Sequence, residues 1–361
     1  MNFKTVLFDI IHPANVHYFK FTINFLKEHG NKVIVTAREK EVTYALLDSE
    51  KIDYYKMGKN WNSTFGKILF LFWCEIKAFI IFLKNKPDIT LSFGSSYIAH
   101  NSFLFGIPHI AFDDTEHASL NRKLYLPFTD LVLTPESFLL SLGKKHVKFP
   151  GHMELFYLNQ KYFKPDSSVY KLLDIKSNEK FVFLRFVSWN ALHDKGQIGL
   201  SDVYKVKLVK ELSKTEKVFI SAEGRMPEEL EEFRIKIAPQ LVHHVLYFAE
   251  LYIGEGATMA SECAAIGTPA IYVNSLNAGT LINQEKEGLI YNYRNENGVL
   301  ENALKILNDS NAKHELKNKL RELNKHRIEL TDFLIWLILN YPDSKRIVLA
   351  NSDWTKQFQL T

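Results

Sequence analysis

Short runs of β-branched and apolar residues alternate with helix-length segments along most of the chain, the rhythm of repeated βαβ units and hence of parallel sheet. In the first half it predicts strands over residues 4–9, 32–37, 89–93, 109–112, 131–134 and 147–149. A helix over 16–29 is stopped by Gly30 and another over 97–105 by Gly106, glycine being the residue that closes a helix in the left-handed conformation. The rhythm breaks around Pro150, Gly151 and Pro165. It restarts with strands over 181–186, 218–221, 251–254 and 270–273, followed by charged helices from Leu300 onward. A chain of 361 residues has room for two cores. The expected organisation is an α/β domain over 1–150, a linker over 151–166 and a second α/β domain over 167–325, with parallel sheets facing a central cleft.

Composition narrows the function classes. With 46% hydrophobic and 24% charged residues, the chain is neither disordered, collagen-like nor a bare coiled coil. Lys plus Arg number 45 against 41 Asp plus Glu, too even a balance for a dedicated nucleic-acid binder, while an anionic small molecule or a membrane surface stays open as partner. Cys74 and Cys263 stand far apart with no zinc-type spacing, which fits a reducing cytoplasm. The N-terminal residues lack the pattern of a secretory signal, so the expected location is cytoplasmic. The stretch 68–83 carries Glu75 and Lys77 and falls short of the ~20 apolar residues a span needs. Phe70, Phe72, Trp73 and Phe79 to Phe82 make it either a buried crossover helix or a surface resting on the inner face of a membrane; the usual place of such helices over parallel sheets favours burial.

Ligands of such sheets sit beyond the carboxyl ends of the strands. In the second half the strand LYIG runs into Glu255, Gly256, Ala257, Thr258, Met259, Ala260, Ser261 and Glu262. Gly256 and Ala257 let a diphosphate approach the backbone, Thr258 and Ser261 offer hydroxyls at the positive end of the helix, and Glu262, one turn on, can accept both hydroxyls of a ribose. The alternative is a plain turn at Gly256 and a solvated Glu262, which the apolar setting MASECAAIG disfavours.

The stretches YIGEGATMASECAAIGTPAIYVNS, SFGSSYIAHNSFLFGIPHIAFDDTEHA and FPGHMELFYL resemble the GT-B superfamily, which includes nucleotide-sugar glycosyltransferases and the non-hydrolysing UDP-N-acetylglucosamine 2-epimerases. FDIIHPANVHYFK, RFVSWNALHD and IGEGATMASE together resemble a family of bacterial and archaeal proteins of undefined function within it, over most of residues 3–295. The resemblance implies two Rossmann-like domains, a nucleotide sugar held mainly by the second and an acceptor or catalytic base supplied by the first. It also implies a last helix, within 326–361, that packs back on the first domain. It matches Glu262 to the superfamily's ribose-binding glutamate.

In the first half, His12 and His17 flank the turn HPAN, with Pro13 fixing the loop and Asn15 as expected N-cap. His12 suits a general base, and His17 is either a cleft residue or a first-turn surface residue. Related transferases carry a Gly-rich loop here. After the strand HIAF stand Asp113, Asp114, Thr115, Glu116 and His117, where crowded carboxylates raise one another's pKa as proton transfer requires. The corresponding epimerase loop carries a catalytic acid. The plainer reading makes Asp113 or Asp114 a helix cap. Their spacing is not Asp-x-Asp, so metal independence is expected. Gly94, Ser95 and Ser96 are candidate substrate contacts.

The strand FVFLR leads to Arg185, Ser188, Trp189, Asn190, His193 and Asp194. Arg185 suits a diphosphate, and Trp189 suits a sugar or base unless it only packs. Glu223 and Arg225 end the next strand, with a structural salt bridge as their alternative, and His243 and His244 occupy the place where these folds read the nucleotide base. No G-x-S-x-G elbow and no G-x-G-x-x-G after the first strand occur, which disfavours a serine hydrolase and a dehydrogenase. The leading expectation is a glycosyltransferase using a nucleotide-diphosphate sugar, of the UDP type, with a cell-surface glycan or lipid-linked acceptor and no further cofactor. A nucleotide-sugar 2-epimerase and a non-catalytic binding module are the alternatives.

Overall fold

The computed structural model describes residues 3–61, 63–116, 118–187, 199–275 and 279–360. The chain divides into two units, Met1–Tyr157 with His326–Thr361, and Leu158–Lys325.

Unit 1 runs β1 (Thr5–Ile10), α1 (Pro13–Glu28), β2 (Lys32–Arg38), α2 (Thr43–Ser49), β3 (Tyr55–Gly58), α3 (Thr64–Asn85), β4 (Ile89–Ser92), α4 (Ser96–Phe105), β5 (His109–Phe112), α5 (Ser119–Tyr125), β6 (Leu131–Pro135) and β7 (His146–Phe149). The seven strands lie in the order β3-β2-β1-β4-β5-β6-β7, every neighbour parallel. Right-handed crossovers then require α1 and α2 on one face of the sheet and α3, α4 and α5 on the other. The strand order reverses between β1 and β4, so the crevice for a ligand opens after Ile10 and Ser92.

Unit 2 contains α6 (Val169–Leu172), β8 (Phe181–Phe186), α7 (Asp202–Leu212), β9 (Lys217–Ala222), α8 (Val242–Phe248), β10 (Leu251–Gly254), α9 (Ala257–Ile266), β11 (Ala270–Val273), α10 (Gly279–Lys286), β12 (Tyr291–Tyr293), α11 (Val299–Asn308) and α12 (Ala312–Asn324). Its five strands lie in the order β12-β11-β10-β8-β9, again all parallel, with the reversal between β8 and β10. Leu184, Ile253, Ile271 and Val273 form the core with Leu208 and Leu212 of α7 and Val299 and Ala303 of α11. Two last helices, α13 (Leu330–Leu339) and α14 (Asp343–Ala350), belong to unit 1, where α13 packs against α1.

The reading of α3 as a buried crossover helix is corrected. Phe70, Cys74, Ala78, Ile81 and Phe82 do face the sheet. Phe72 and Trp73, however, are 64% and 51% exposed, because a helix that is apolar all round has one side left after the sheet is covered.

Candidate functional site

In unit 1 the turn after β1 is built by a reciprocal cap. His12 is the N-cap of α1: its Nδ1 accepts from Ala14 N at 3.2 Å, while Asn15 Oδ1 accepts from His12 N at 3.0 Å and from Ile11 N at 3.2 Å. Asn15, expected as N-cap, is thus the third helical residue and caps in return. An accepting Nδ1 places the neutral ring's proton on Nε2, which makes His12 a donor. Burial, helped by the nearby Lys40 charge, lowers its pKa to about 4. His17 lies on the buried side of α1, stacked on Tyr157 with ring centroids 5.1 Å apart. Its burial removes the reading of His17 as a first-turn surface residue.

Gly94 has φ +60°, and a side chain there would meet Asn121 Nδ2 and the Tyr125 ring at 2.9 Å. Its glycine is demanded by the fold. Ser95 is the N-cap of α4, without a side-chain cap bond, and its N–H donates to Ser92 Oγ at 3.1 Å; Ser95 and Ser96 are both buried.

The acidic loop after β5 separates into unlike members. Asp113 is buried, with Oδ2 accepting from Arg122 Nη1 at 3.0 Å and Tyr125 Oη at 2.7 Å and Oδ1 from Thr115 N at 3.0 Å. It anchors α5. Asp114 is partly buried, and its Oδ1 accepts from Thr115 Oγ1 at 2.9 Å. Desolvation, with Asp113 and Glu116 adding negative charge, pushes its carboxyl up to about 6. Glu116 Oε1 accepts from Leu139 N at 3.4 Å. Neither aspartate caps α5, whose N-cap is Ala118. His117 lies outside the described residues.

A further polar group, near the β1 and β2 ends, is absent from the sequence-based expectations. Asp9 is fully buried, accepting from Thr36 Oγ1 at 2.6 Å and from Tyr97 Oη at 2.7 and 2.9 Å, and burial raises its pKa. The Arg38 guanidinium lies 4.8 Å over the Tyr97 ring and donates from Nε to Tyr97 Oη at 3.3 Å. An aspartate inside the apolar run VLFDI of β1 is the signal that would have found it. A hollow of about 1000 Å³, lined by Lys4, Asp88, Phe128 and Asp130, lies instead at the amino ends of β1, β4, β5 and β6.

In unit 2 the site elements are the β8, β9 and β10 ends and the α9 N-terminus. Gly256 is the N-cap of α9, at φ −93° with no side-chain cap bond, so the first N–H groups of the helix remain for a ligand. A Cβ on Gly256 would meet only Val187 Cγ1, at an ordinary 3.6 Å. The fold does not require glycine here, whereas at Gly254 a Cβ would stand 2.1 Å from Tyr252 Oη. Ala257 is partly exposed and Thr258 exposed. Ser261 is buried and accepts from Gln284 Nε2 at 2.7 Å, so its hydroxyl joins α9 to α10. Glu262 is 5% exposed and its Oε1 lies 2.9 Å from His243 Nε2.

His243 is thus the member of the pair beside Glu262, and His244 turns elsewhere. It stacks on Phe163 at 5.1 Å and its Nδ1 accepts from Asp166 N at 3.0 Å. The Arg185 fork is engaged by Ser221 Oγ at 2.6 Å and Glu223 Oε1 at 2.7 Å, so Glu223 pairs with Arg185 and not with the exposed Arg225. Glu255, given no role by the sequence, is buried and accepts from Val187 N at 3.1 Å and Leu200 N at 2.9 Å. Ser188, Trp189, Asn190, His193 and Asp194 lie outside the described residues. Among the described residues no three His, Cys, Asp or Glu side chains group to hold a metal ion.

The fold is that of GT-B proteins. The structure of UDP-GlcNAc 2-epimerase from Neisseria meningitidis bound to UDP-GlcNAc is similar with a TM-score of 0.65 at 12% identity, over 93% of this chain and 99% of that one. The Streptomyces sp. SF2575 glycosyltransferase SsfS6 is similar with a TM-score of 0.58 at 13% identity, over 93% and 100%. In sequence, the uncharacterized protein MJ0665 of Methanocaldococcus jannaschii is 25% identical over 276 residues, 74% of this chain and 80% of that protein. The family described as "Protein of unknown function (DUF354)" matches residues 4–341, and the chain belongs to it.

Proposed function

We propose that the protein is a metal-independent glycosyltransferase acting in the cytoplasm on a nucleotide-diphosphate sugar of the UDP type, with a surface glycan or its lipid-linked precursor as acceptor. The observation that carries the reading is the uncapped start of α9 at a glycine the fold does not need, less than two turns ahead of the buried carboxylate Glu262. Backbone N–H groups at a helix N-terminus hold a diphosphate without a metal. The Glu262 carboxylate, steadied by His243, takes the ribose. Asp114 in unit 1 is the base, since a carboxyl raised to about 6 is ionised at neutral pH yet more basic than an ordinary one. The acceptor oxygen forms a bond to the anomeric carbon, its proton passes to the Asp114 carboxylate, and the bond from that carbon to the diphosphate breaks with the electron pair leaving on the diphosphate. His12, neutral and protonated on Nε2, donates a hydrogen bond and takes no proton.

A nucleotide-sugar 2-epimerase is the second reading, favoured by the likeness to the N. meningitidis enzyme and by Glu116 as a further acid beside Asp114. The test is a thermal-shift panel of UDP, GDP, CMP, ADP and their sugar conjugates with EDTA present. A ligand at 100 times its Kd stabilises by roughly 2.7 kcal/mol, a shift of a few degrees. A shift with UDP that is lost in Glu262→Ala supports the reading, and no shift with any nucleotide removes both enzymes. Incubating the bound conjugate in deuterated water then separates them, because only epimerisation exchanges the proton at the second carbon of the sugar.

A further inference from the structure

The outward side of α3 is apolar along its whole length. Phe65, Phe72, Ile76 and Ile80 are 70%, 64%, 56% and 56% exposed, and Trp73 and Leu83 extend the same stripe at three- and four-residue spacing. The neighbouring α4 adds exposed Phe103 and Leu104. A helix that only covers a sheet turns polar residues outward, and a contiguous apolar patch of this extent marks a docking surface.

The charges around it say what docks. Between residues 56 and 86 the chain carries Lys56, Lys59, Lys67, Lys77, Lys84 and Lys86 against one carboxylate, Glu75. Glu75 is already engaged, by His100 Nδ1 at 2.7 Å and Asn101 Nδ2 at 3.1 Å. Lys77 Nζ stands 4.9 Å over the Trp73 ring and donates to Lys56 O at 3.0 Å, so a cation is fixed beside the most amphipathic aromatic of the stripe. A second copy of the chain fits poorly, because a two-fold interface sets this lysine rim against itself. An anionic surface with an apolar interior fits both features. Among the described residues no helix is long and apolar enough to cross a membrane, so the contact is one of lying on it.

We propose that the α3 face docks on an anionic lipid bilayer, the aromatic and aliphatic stripe entering the headgroup and acyl boundary and the lysines meeting lipid phosphates. This goes beyond the nucleotide-sugar reading and stands or falls apart from it. It also places the protein where a lipid-linked acceptor is.

The test is co-sedimentation of the full chain with vesicles of phosphatidylcholine containing ~30% phosphatidylglycerol, and with pure phosphatidylcholine, at low and high salt. Binding to the anionic vesicles, weaker in salt and on pure phosphatidylcholine, is expected. Phe72→Ser with Trp73→Ser should lower the partition by about tenfold or more, and Lys67→Glu with Lys84→Glu by a comparable factor. Since all four residues lie outside the nucleotide site, the variants should keep the native Tm and the same shift with UDP. If the native chain leaves both vesicle types in the supernatant, or if light scattering finds a dimer that the Phe72 and Trp73 changes dissociate, the proposal is overturned. Binding that the lysine reversals do not alter also overturns it, since the anionic part of the partner is then wrong.

Discussion

At the carboxyl end of its sheet, unit 1 carries an aspartate with a displaced pKa and a neutral histidine, whereas at the same end of unit 2 the described Arg185, Glu223 and Glu262 are tied to other side chains and it is backbone that stands open. Asp114 Oδ1 accepts from Thr115 Oγ1, and the carboxyl pKa is raised to about 6. Arg185, Glu223, Glu262 and Ser261 all have protein partners, while the first turn of α9 has no cap. In the proposed reaction, one end moves a proton and the other holds an anion in place. Under the proposed function, two similar sheets divide the labour of a two-substrate reaction through the loops that leave their strands.

The sharpest way to break this comparison is Asp114→Asn. Turnover should fall by about 10²–10⁴-fold while UDP affinity stays as in the native chain. Undiminished turnover would return Asp114 to a structural role. Linkage provides an independent reading. The folded pKa of Asp114 lies above the unfolded value, so the folded state binds the proton more tightly and stability falls as pH rises from about 4 to about 6, then levels. Activity that needs the carboxylate runs the other way, rising through about pH 6. Asp114→Asn removes the charge that resists burial, so its Tm at pH 7.5 should equal or exceed the native one and its stability should lose that slope.

Asp113→Ala should do the reverse. It strips the buried Arg122 guanidinium of its partner and removes the acceptor of Tyr125 Oη, a loss of about 3–5 kcal/mol in denaturant unfolding. Adjacent aspartates are then told apart by which quantity moves. A small stability change at Asp113 would mean that α5 is held by its apolar contacts alone.

These neighbours also show where sequence reading stops. The inner strands 109–112, 181–186, 251–254 and 270–273 are legible to the residue because a strand buried on both faces is a continuous apolar run. Edge strands β3 and β12 escape, being short and only half apolar: Tyr55, Lys56 and Tyr291 face solvent. Site residues are legible by type and by place after a strand, and not by partner. Nothing in DDTEH tells which aspartate meets Arg122. Likewise Ser261 is reached by Gln284 from α10 and Glu262 by His243 from α8, partners set by helix packing that residue spacing does not encode.

A smaller effect compares two glycines two residues apart. Gly254→Ala drives a Cβ into Tyr252 Oη and should cost about 1–3 kcal/mol. Gly256→Ala meets only ordinary contact, so Tm should hold while UDP binding weakens as the added methyl stands where the diphosphate approaches. Calorimetric titration of UDP into both variants decides it. Unchanged affinity in Gly256→Ala removes the backbone-binding argument from unit 2.

The smallest effect concerns His12, where a cap and a donor share one ring. His12→Ala should lose about 0.5–2 kcal/mol by uncapping α1, whereas asparagine caps as well as any residue, so His12→Asn should keep the stability and lose the Nε2–H. The pH signs agree with a cap. The folded pKa, about 4, lies below the unfolded value, so the cap contributes in full above about 6.5 and its contribution is lost as pH falls toward 4, a slope opposite to that of Asp114 and absent from His12→Asn. Turnover then separates the two uses of the ring. If His12→Asn is slow although its unfolding curve at pH 7.5 overlays the native one, the donor takes part in the reaction; if its turnover is native, His12 serves only to start α1, and the chemistry of unit 1 rests on the acidic loop after β5.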